Sequence, residues 1–256
     1  VSAQTRFLVH SNGPALWPEH KPLREILDLK GSTMSQVWNA TYQGVPTAPE
    51  GTVFKREWWR HTRYDATDPR HVSLCVARWA SWDTALKDEE NNAYSADVIG
   101  ELMPDYRLFI RHVWRDRLQF PELPPTISAV ARQYNSDGKL RGVLIEDKAS
   151  GTSAYQTLVA SAEDWLKPLL VPFQPSGDKE TRAQQAAVWC ANGSVWLPYP
   201  GEQARWLVDF EDELFNFPGS VYKDQVDAFS QLVLFTENLL AAGWQARKAA
   251  QGEMQE

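Results

Sequence analysis

Three groups of carboxylates occupy positions where a soluble chain gains little by placing charge. Asp83 closes the first strongly apolar strand-like segment. Glu146 and Asp147 close a second, Gly142-Val-Leu-Ile-Glu-Asp147. Asp224 and Asp227 open the last helical segment, three residues apart and therefore on one helix face. That segment is apolar nearly all round, with Val226, Phe229, Val233 and Leu240 on one side and Ala228, Leu232, Phe235 and Leu239 on another, the pattern of a buried helix. A carboxylate there is costly unless a cation or a donor compensates it. Each group alone has a plain structural reading: Asp224 as a solvated helix N-terminus favoured by the dipole, Asp83 as a turn former before Thr84, and Glu146-Asp147-Lys148 as an exposed charged loop. Together they say more. Converging carboxylates either protonate or recruit divalent cations, and two hard cations held by oxygens about 3.5–4 Å apart hydrolyse phosphodiesters in line.

Convergence requires a scaffold. Val72, Leu74 and Val76 alternate with Ser73, Cys75 and Ala77, so a first strand is expected from there into Ser81-Trp82-Asp83-Thr84. After a polar turn at 87–92, strands are expected at 93–100 and at Tyr106–Trp114, separated by a turn at Met103-Pro-Asp105. Short connections make these an antiparallel meander. Pro124-Pro125 opens a helix to about Gln133, Gly142–Asp147 is a strand, and Gly151-Thr152 starts a helix. Ser161 with Asp164 resembles a capping box. A strand at Leu169–Phe173 precedes a helix capped by Asp178 and stopped by Asn192-Gly193. Ser194–Tyr199 reads as a strand or hairpin arm, Arg205–Phe215 as a helix, and Asp224 to about Leu240 as the last helix. The later connections are long enough for parallel pairing. The expected class is α/β, a mixed sheet of a three-strand meander plus parallel strands, flanked by helices and carrying an extra β-hairpin. Its first and fourth strands can be central neighbours, with the last helix crossing their ends.

The chain has 256 residues, enough for one large domain or a domain with an appendage. Hydrophobic residues make up 43% and charged residues 23%, which argues against disorder. The formal charge of −7 argues against a simple basic nucleic-acid coat or a membrane-surface binder, although local charge decides for an enzyme. Cys75 and Cys190 cannot form a disulfide framework, and no CxxC or Cys/His cluster suits zinc. The sequence lacks an apolar run of membrane-spanning length and a secretory signal, so a soluble intracellular protein is expected. Residues 43–51 read as a linker, preceded by short helical pieces near 23–29 and 32–41. Val1 is not Met, consistent with an excised fragment.

Several motifs in order carry a resemblance. Ser-Trp-Asp-Thr-Ala (81–85), Ile-Glu-Asp-Lys-Ala-Ser-Gly (145–151) and Lys-Asp-Gln-Val-Asp-Ala-Phe-Ser-Gln (223–231) resemble the nuclease domain of tailed-bacteriophage terminase large subunits. Gly177-Asp-Lys-Glu-Thr-Arg-Ala183 and Gly193-Ser-Val-Trp-Leu-Pro198 resemble that family's intervening segments, and Trp38–Gln43 with Gly51–Lys55 resembles the junction after its ATPase domain. The resemblance spans roughly 34–240. It implies a ribonuclease H-like fold and an endonuclease, dependent on two Mg²⁺ or Mn²⁺ ions, that cuts concatemeric viral DNA during packaging. By resemblance the catalytic acids are Asp83, Glu146 and Asp224, with Asp147 and Asp227 as further metal ligands; spacing alone leaves Asp224 and Asp227 equivalent. Asp88 could assist, although a solvated turn explains it better. No Gly-x-x-x-x-Gly-Lys-[Ser/Thr] loop is present. Residues 1–50 are then the tail of an upstream ATPase domain and 51–256 the nuclease domain, without ATPase activity of its own. The implied partners are double-stranded DNA, the upstream ATPase, the small terminase subunit and the portal or procapsid, in the host cytoplasm and away from membranes.

Candidate phosphate contacts are Lys55, Arg56, Arg60 and Arg63 near Trp58-Trp59, then Arg107, Arg111 and Arg115, expected on one strand face, and Lys179 with Arg182 at a helix start. Each patch could equally be an ordinary solvated surface. Two other readings fit the same residues. A junction resolvase or transposase-like enzyme would restrict cleavage to branched junctions or specific ends. A non-catalytic docking module for portal or capsid would neither cleave DNA nor be stabilised by Mn²⁺.

Overall fold

The computed structural model describes residues 53–84, 94–146 and 154–253, with short pieces at 20–22, 24–26, 29 and 41–42. Seven strands form one sheet: β1 (Arg63–Tyr64), β2 (Ala77–Asp83), β3 (Ser95–Leu102), β4 (Leu108–Asp116), β5 (Leu140–Glu146), β6 (Leu170–Phe173) and β7 (Val195–Pro198). Their spatial order is β1-β7-β4-β3-β2-β5-β6. β2, β3 and β4 are the expected antiparallel meander. β5 runs parallel to β2, β6 parallel to β5, and β7 parallel to both β4 and β1. The helices are α1 (Pro69–Leu74), α2 (Leu123–Tyr134), α3 (Ala154–Ser161), α4 (Lys179–Ala191), α5 (Leu207–Asn216) and α6 (Asp224–Glu253).

Every residue of β2 and β3 is buried, as expected of central strands covered on both faces. On one face Val98, Leu108 and Ile110 pack with Phe210 of α5 and with Phe229 and Leu232 of α6. On the other, Trp82, Ile99 and Ile145 pack with Ile127 of α2 and Leu158 of α3. The mixed sheet flanked by helices is the fold class expected from the sequence.

Local chemistry redirects several segments. The alternating stretch at 72–76 is not strand. Asp68 accepts a hydrogen bond from the Arg70 amide, Pro69 supplies the first helical residue, and α1 runs to Leu74 before β2 begins at Ala77. Ser161 ends α3 and donates to the Thr157 carbonyl at 2.8 Å, so it does not cap the next segment. β7 joins the main sheet between β4 and β1, and no separate hairpin forms among the described residues. The expected Asp178 cap does form, accepting from the Thr181 amide at 2.7 Å, and Gly193 leaves α4 with a φ of 75°. The expected helix near 23–29 is helical at 24–26 and 29, and that at 32–41 at 41 alone. The linker at 43–51, the turn at 87–92 and Gly151-Thr152 lie outside the described residues.

β4 carries the most consequential irregularity. Ile99 pairs with His112 and Gly100 with Ile110, leaving Arg111 unmatched in a bulge. The bulge reverses the alternation of β4. Ile110 and Val113 therefore belong to the same core face. Arg107 precedes the strand and Arg115 follows the bulge, so the three arginines do not share a face.

α6 lies directly on the meander because Gly100 has no side chain. A Cβ there would stand 2.7 Å from Leu232 Cδ2 and 2.9 Å from Leu108 Cδ1. Both leucines are fully buried, so neither can move aside freely. Gly100→Ala is expected to lower the unfolding free energy by about 1–3 kcal/mol through overpacking, measured by urea denaturation. An unchanged midpoint would refute this account of the contact.

Candidate metal centre

Trp82 pairs with Ile145 across the parallel β2–β5 ladder, and both face α2 and α3. Alternation then turns the next residues, Asp83 and Glu146, to the opposite face, where α6 crosses. Ser81, two residues before Asp83, donates from Oγ to the Ala228 carbonyl of α6 at 2.9 Å. This bond fixes the height of α6 and brings in the neighbouring Asp227. Asp83, Glu146 and Asp227 each present a carboxylate oxygen within 4.8 Å of the others. All three residues are buried. Among the described residues this is the one group of three or more His, Cys, Asp or Glu side chains able to hold an ion.

Of the sequence candidates, Asp83 and Glu146 therefore meet, and the helical acid beside them is Asp227. Asp224 is the first residue of α6, almost a full turn further out and half-buried. Burial raises its pKa, and Lys179 and Arg115 act against that rise. Asp88 and Asp147 lie outside the described residues.

The cluster strains the ionisation of its members. Burial pushes the Asp83 carboxyl up to about 8; Lys179 opposes the rise, while the Asp227 charge and a hydrogen bond with Glu146 add to it. Two side chains of α4 supply positive charge. Lys179 Nζ stands 3.2 Å from Asp83 Oδ2 and 2.7 Å from Asp227 Oδ2. Burial works against the Lys179 charge, but the two carboxylates outweigh it and raise its pKa. Arg182, buried one turn along, bonds Asp227 Oδ1 through Nη2 and the Gly177 carbonyl through Nη1 at 3.1 Å. The Asp178 cap sets the start of α4 and with it both cations.

The first turn of α6 is held by a residue that the sequence reading missed. Glu213 of α5 accepts from the Val226 amide at 3.0 Å and from Gln225 Nε2 at 2.7 Å, satisfying an otherwise open helix terminus. Arg115 donates to the same carboxylate at 2.7 Å, with its guanidinium 4.9 Å and 4.8 Å from the rings of Tyr94 and Tyr222. Glu213 falls among the apolar residues of α5, and that position was its only sequence signal.

The proposed phosphate contacts are dispersed. Arg182 is committed to Asp227 inside the protein, and Lys179 to the acids. Arg107 pairs with Asp105 and covers Trp196, some six residues along the sheet from the acidic end. Arg111 donates to the Ala66 carbonyl, Arg56 pairs with Glu211, and Lys55 is exposed. Cys75 and Cys190 are both buried and unbridged.

Three buried carboxylates and two cationic side chains sum to one negative charge, which a proton or a cation can meet. Hard oxygen donors of this kind suit Mg²⁺ or Mn²⁺. The electrostatics can be tested in two ways. An unfolded chain releases the Asp83 proton near the ordinary value of 3.8, whereas the metal-free native state holds it to about 8. The stability from this group is complete below about pH 4 and is lost as pH rises toward 8. Urea titrations in chelator should show a downward slope over that range that Asp83→Asn lacks; equal slopes would contradict the assignment. Arg182→Met should cost about 3–5 kcal/mol, because it strands a buried carboxylate. Adding Asp227→Asn should restore part of that loss in the same denaturation assay.

No protein-family model matches the chain, and no curated protein matches it by sequence. Solved structures match its fold. The full-length large terminase of one thermophilic bacteriophage superposes with a TM-score of 0.50 at 10% identity, over 81% of this chain and 51% of that one. The large terminase nuclease of thermophilic phage G20c with bound cobalt gives 0.49 at 14% identity, over 73% and 97%. The human cytomegalovirus terminase nuclease domain gives 0.49 at 10% identity, over 71% and 94%. The chain thus spans about half the length of the first of these proteins. Its structural neighbours are the nuclease domains of terminase large subunits, and its fold is their ribonuclease H-like fold.

Proposed function

We propose that this chain is a metal-dependent DNA endonuclease, the nuclease part of a terminase large subunit that cuts concatemeric viral DNA during genome packaging. The observation that carries the reading is the convergence of buried Asp83, Glu146 and Asp227 on the neighbouring ends of β2, β5 and α6. The likeness to the thermophilic-phage large terminase supports the fold on which this acidic group sits.

In this reading Asp83, Glu146 and Asp227 hold two Mg²⁺ or Mn²⁺ ions, with Asp83 shared and Asp224 and Asp147 as further ligands. When bound, such ions supply a nucleophile at neutral pH and stabilise charge on the leaving oxygen. The protein's own side chains do the positioning. Arg182 holds Asp227 in orientation from behind. The Ser81–Ala228 bond and the Glu213 cap fix α6 against the strands. The substrate is double-stranded DNA, and the upstream ATPase, small terminase subunit and portal are the partners. Exposed Lys55 and the partly exposed Arg107 are the remaining candidates for distant phosphates.

The test is cleavage of supercoiled plasmid with Mg²⁺ or Mn²⁺. Asp83→Ala and Asp227→Ala are each expected to reduce cleavage by roughly 100-fold or more, and Asp224→Ala by less, as for a peripheral ligand. Full activity in Asp83→Ala, or cleavage indifferent to chelator, would sink the proposal.

A further inference from the structure

The metal centre proposed above requires cations to enter a gap that a side chain already fills. We infer that Lys179 is the resident counter-ion of this centre and that a divalent cation binds by displacing its ammonium from Asp83 and Asp227. The inference rests on the metal-centre reading and goes beyond it.

Geometry is the first support. Lys179 Nζ contacts Oδ2 of both Asp83 and Asp227, two of the three carboxylates that the cation would need. A hard cation sits about 2.0–2.1 Å from its oxygens, so occupancy of both positions would press two positive centres together. Charge is the second. With Lys179 and Arg182 in place, the five side chains carry a net single negative charge. Exchanging the ammonium for one divalent ion, with Arg182 retained, makes the group neutral.

The two basic residues are also unequally placed to move. The Lys179 side chain is 38% exposed and belongs to the first residue of α4, so its flexible stem can swing into water without disturbing the backbone. The Arg182 side chain is 6% exposed and anchored a second time on the Gly177 carbonyl. One cation is placed to leave and the other to stay. Lys179 then keeps the metal-free site folded and sets the metal concentration at which it loads.

Two ligands that exclude each other weaken each other by the same factor. Calorimetric titration of the full chain with Mn²⁺ tests this directly. Lys179→Met and Lys179→Gln should bind Mn²⁺ tighter than the wild type by about 5- to 150-fold, and should melt at a lower temperature in chelator. Wild-type binding with equal or weaker binding in both variants would overturn the inference, because Lys179 would then assist the metal. Absence of binding in all three proteins would overturn the metal centre itself and this inference with it. Should the variants fail to fold, the wild type decides. The Lys179 Cε resonance should shift in proportion to Mg²⁺ occupancy, and a resonance unmoved while calorimetry records binding overturns the displacement.

Discussion

The placement of Asp227 constrains much of the molecule. It is a carboxylate on a helix whose neighbours Val226, Phe229, Leu232 and Val233 are fully buried. Such a charge is tolerable only with a fixed partner, and Arg182 from α4 provides it. The requirement propagates outward. α4 must start where it does, so Asp178 caps it and Gly177 takes a φ of 78° before it. α6 must lie at one height on the sheet, so Ser81 and Gly100 meet it with a hydroxyl and with no side chain at all. Glu213 closes its first turn.

The sheet contributes something different, a division of labour by parity. Along β2, Trp82 belongs to the core beneath α2 and α3, while Ser81 and Asp83 face α6. β5 repeats the arrangement with Ile145 and Glu146. Because the two strands are parallel and in register at Trp82 and Ile145, their final acids emerge side by side. Apolar packing on one face thus holds the chemistry of the other, and the large buried Trp82 ring is part of what fixes Asp83.

Much of this was legible in the sequence. The meander, the parallel fourth strand, the Asp178 cap and the meeting of Asp83 with Glu146 all follow from alternation, turn residues and capping chemistry. What escaped has physical causes. Alternation at 72–76 mimicked a strand because α1 is only six residues long, too short for helical periodicity to declare itself, while Pro69 and Asp68 carried the true signal. Asp224 and Asp227 share a helix face, so spacing cannot separate them; depth of insertion does, and depth depends on the Ser81 and Gly100 contacts. Arg182 read as a surface cation because no local pattern shows that a carboxylate 45 positions later will need it. Pairings at such separation belong to the tertiary structure.

The bulge at Arg111 makes strand length a determinant of side-chain partnership. In an unbroken ladder the residue at 115 would project toward the α2 side. The one unmatched residue instead turns it toward α5, where it meets Glu213. Which arginine supports the start of α6 is therefore decided by a count of backbone units several residues upstream, not by the residue types at the contact. For β4, an insertion or deletion before His112 would be a change of circuitry, while a substitution at the same place would alter only one surface.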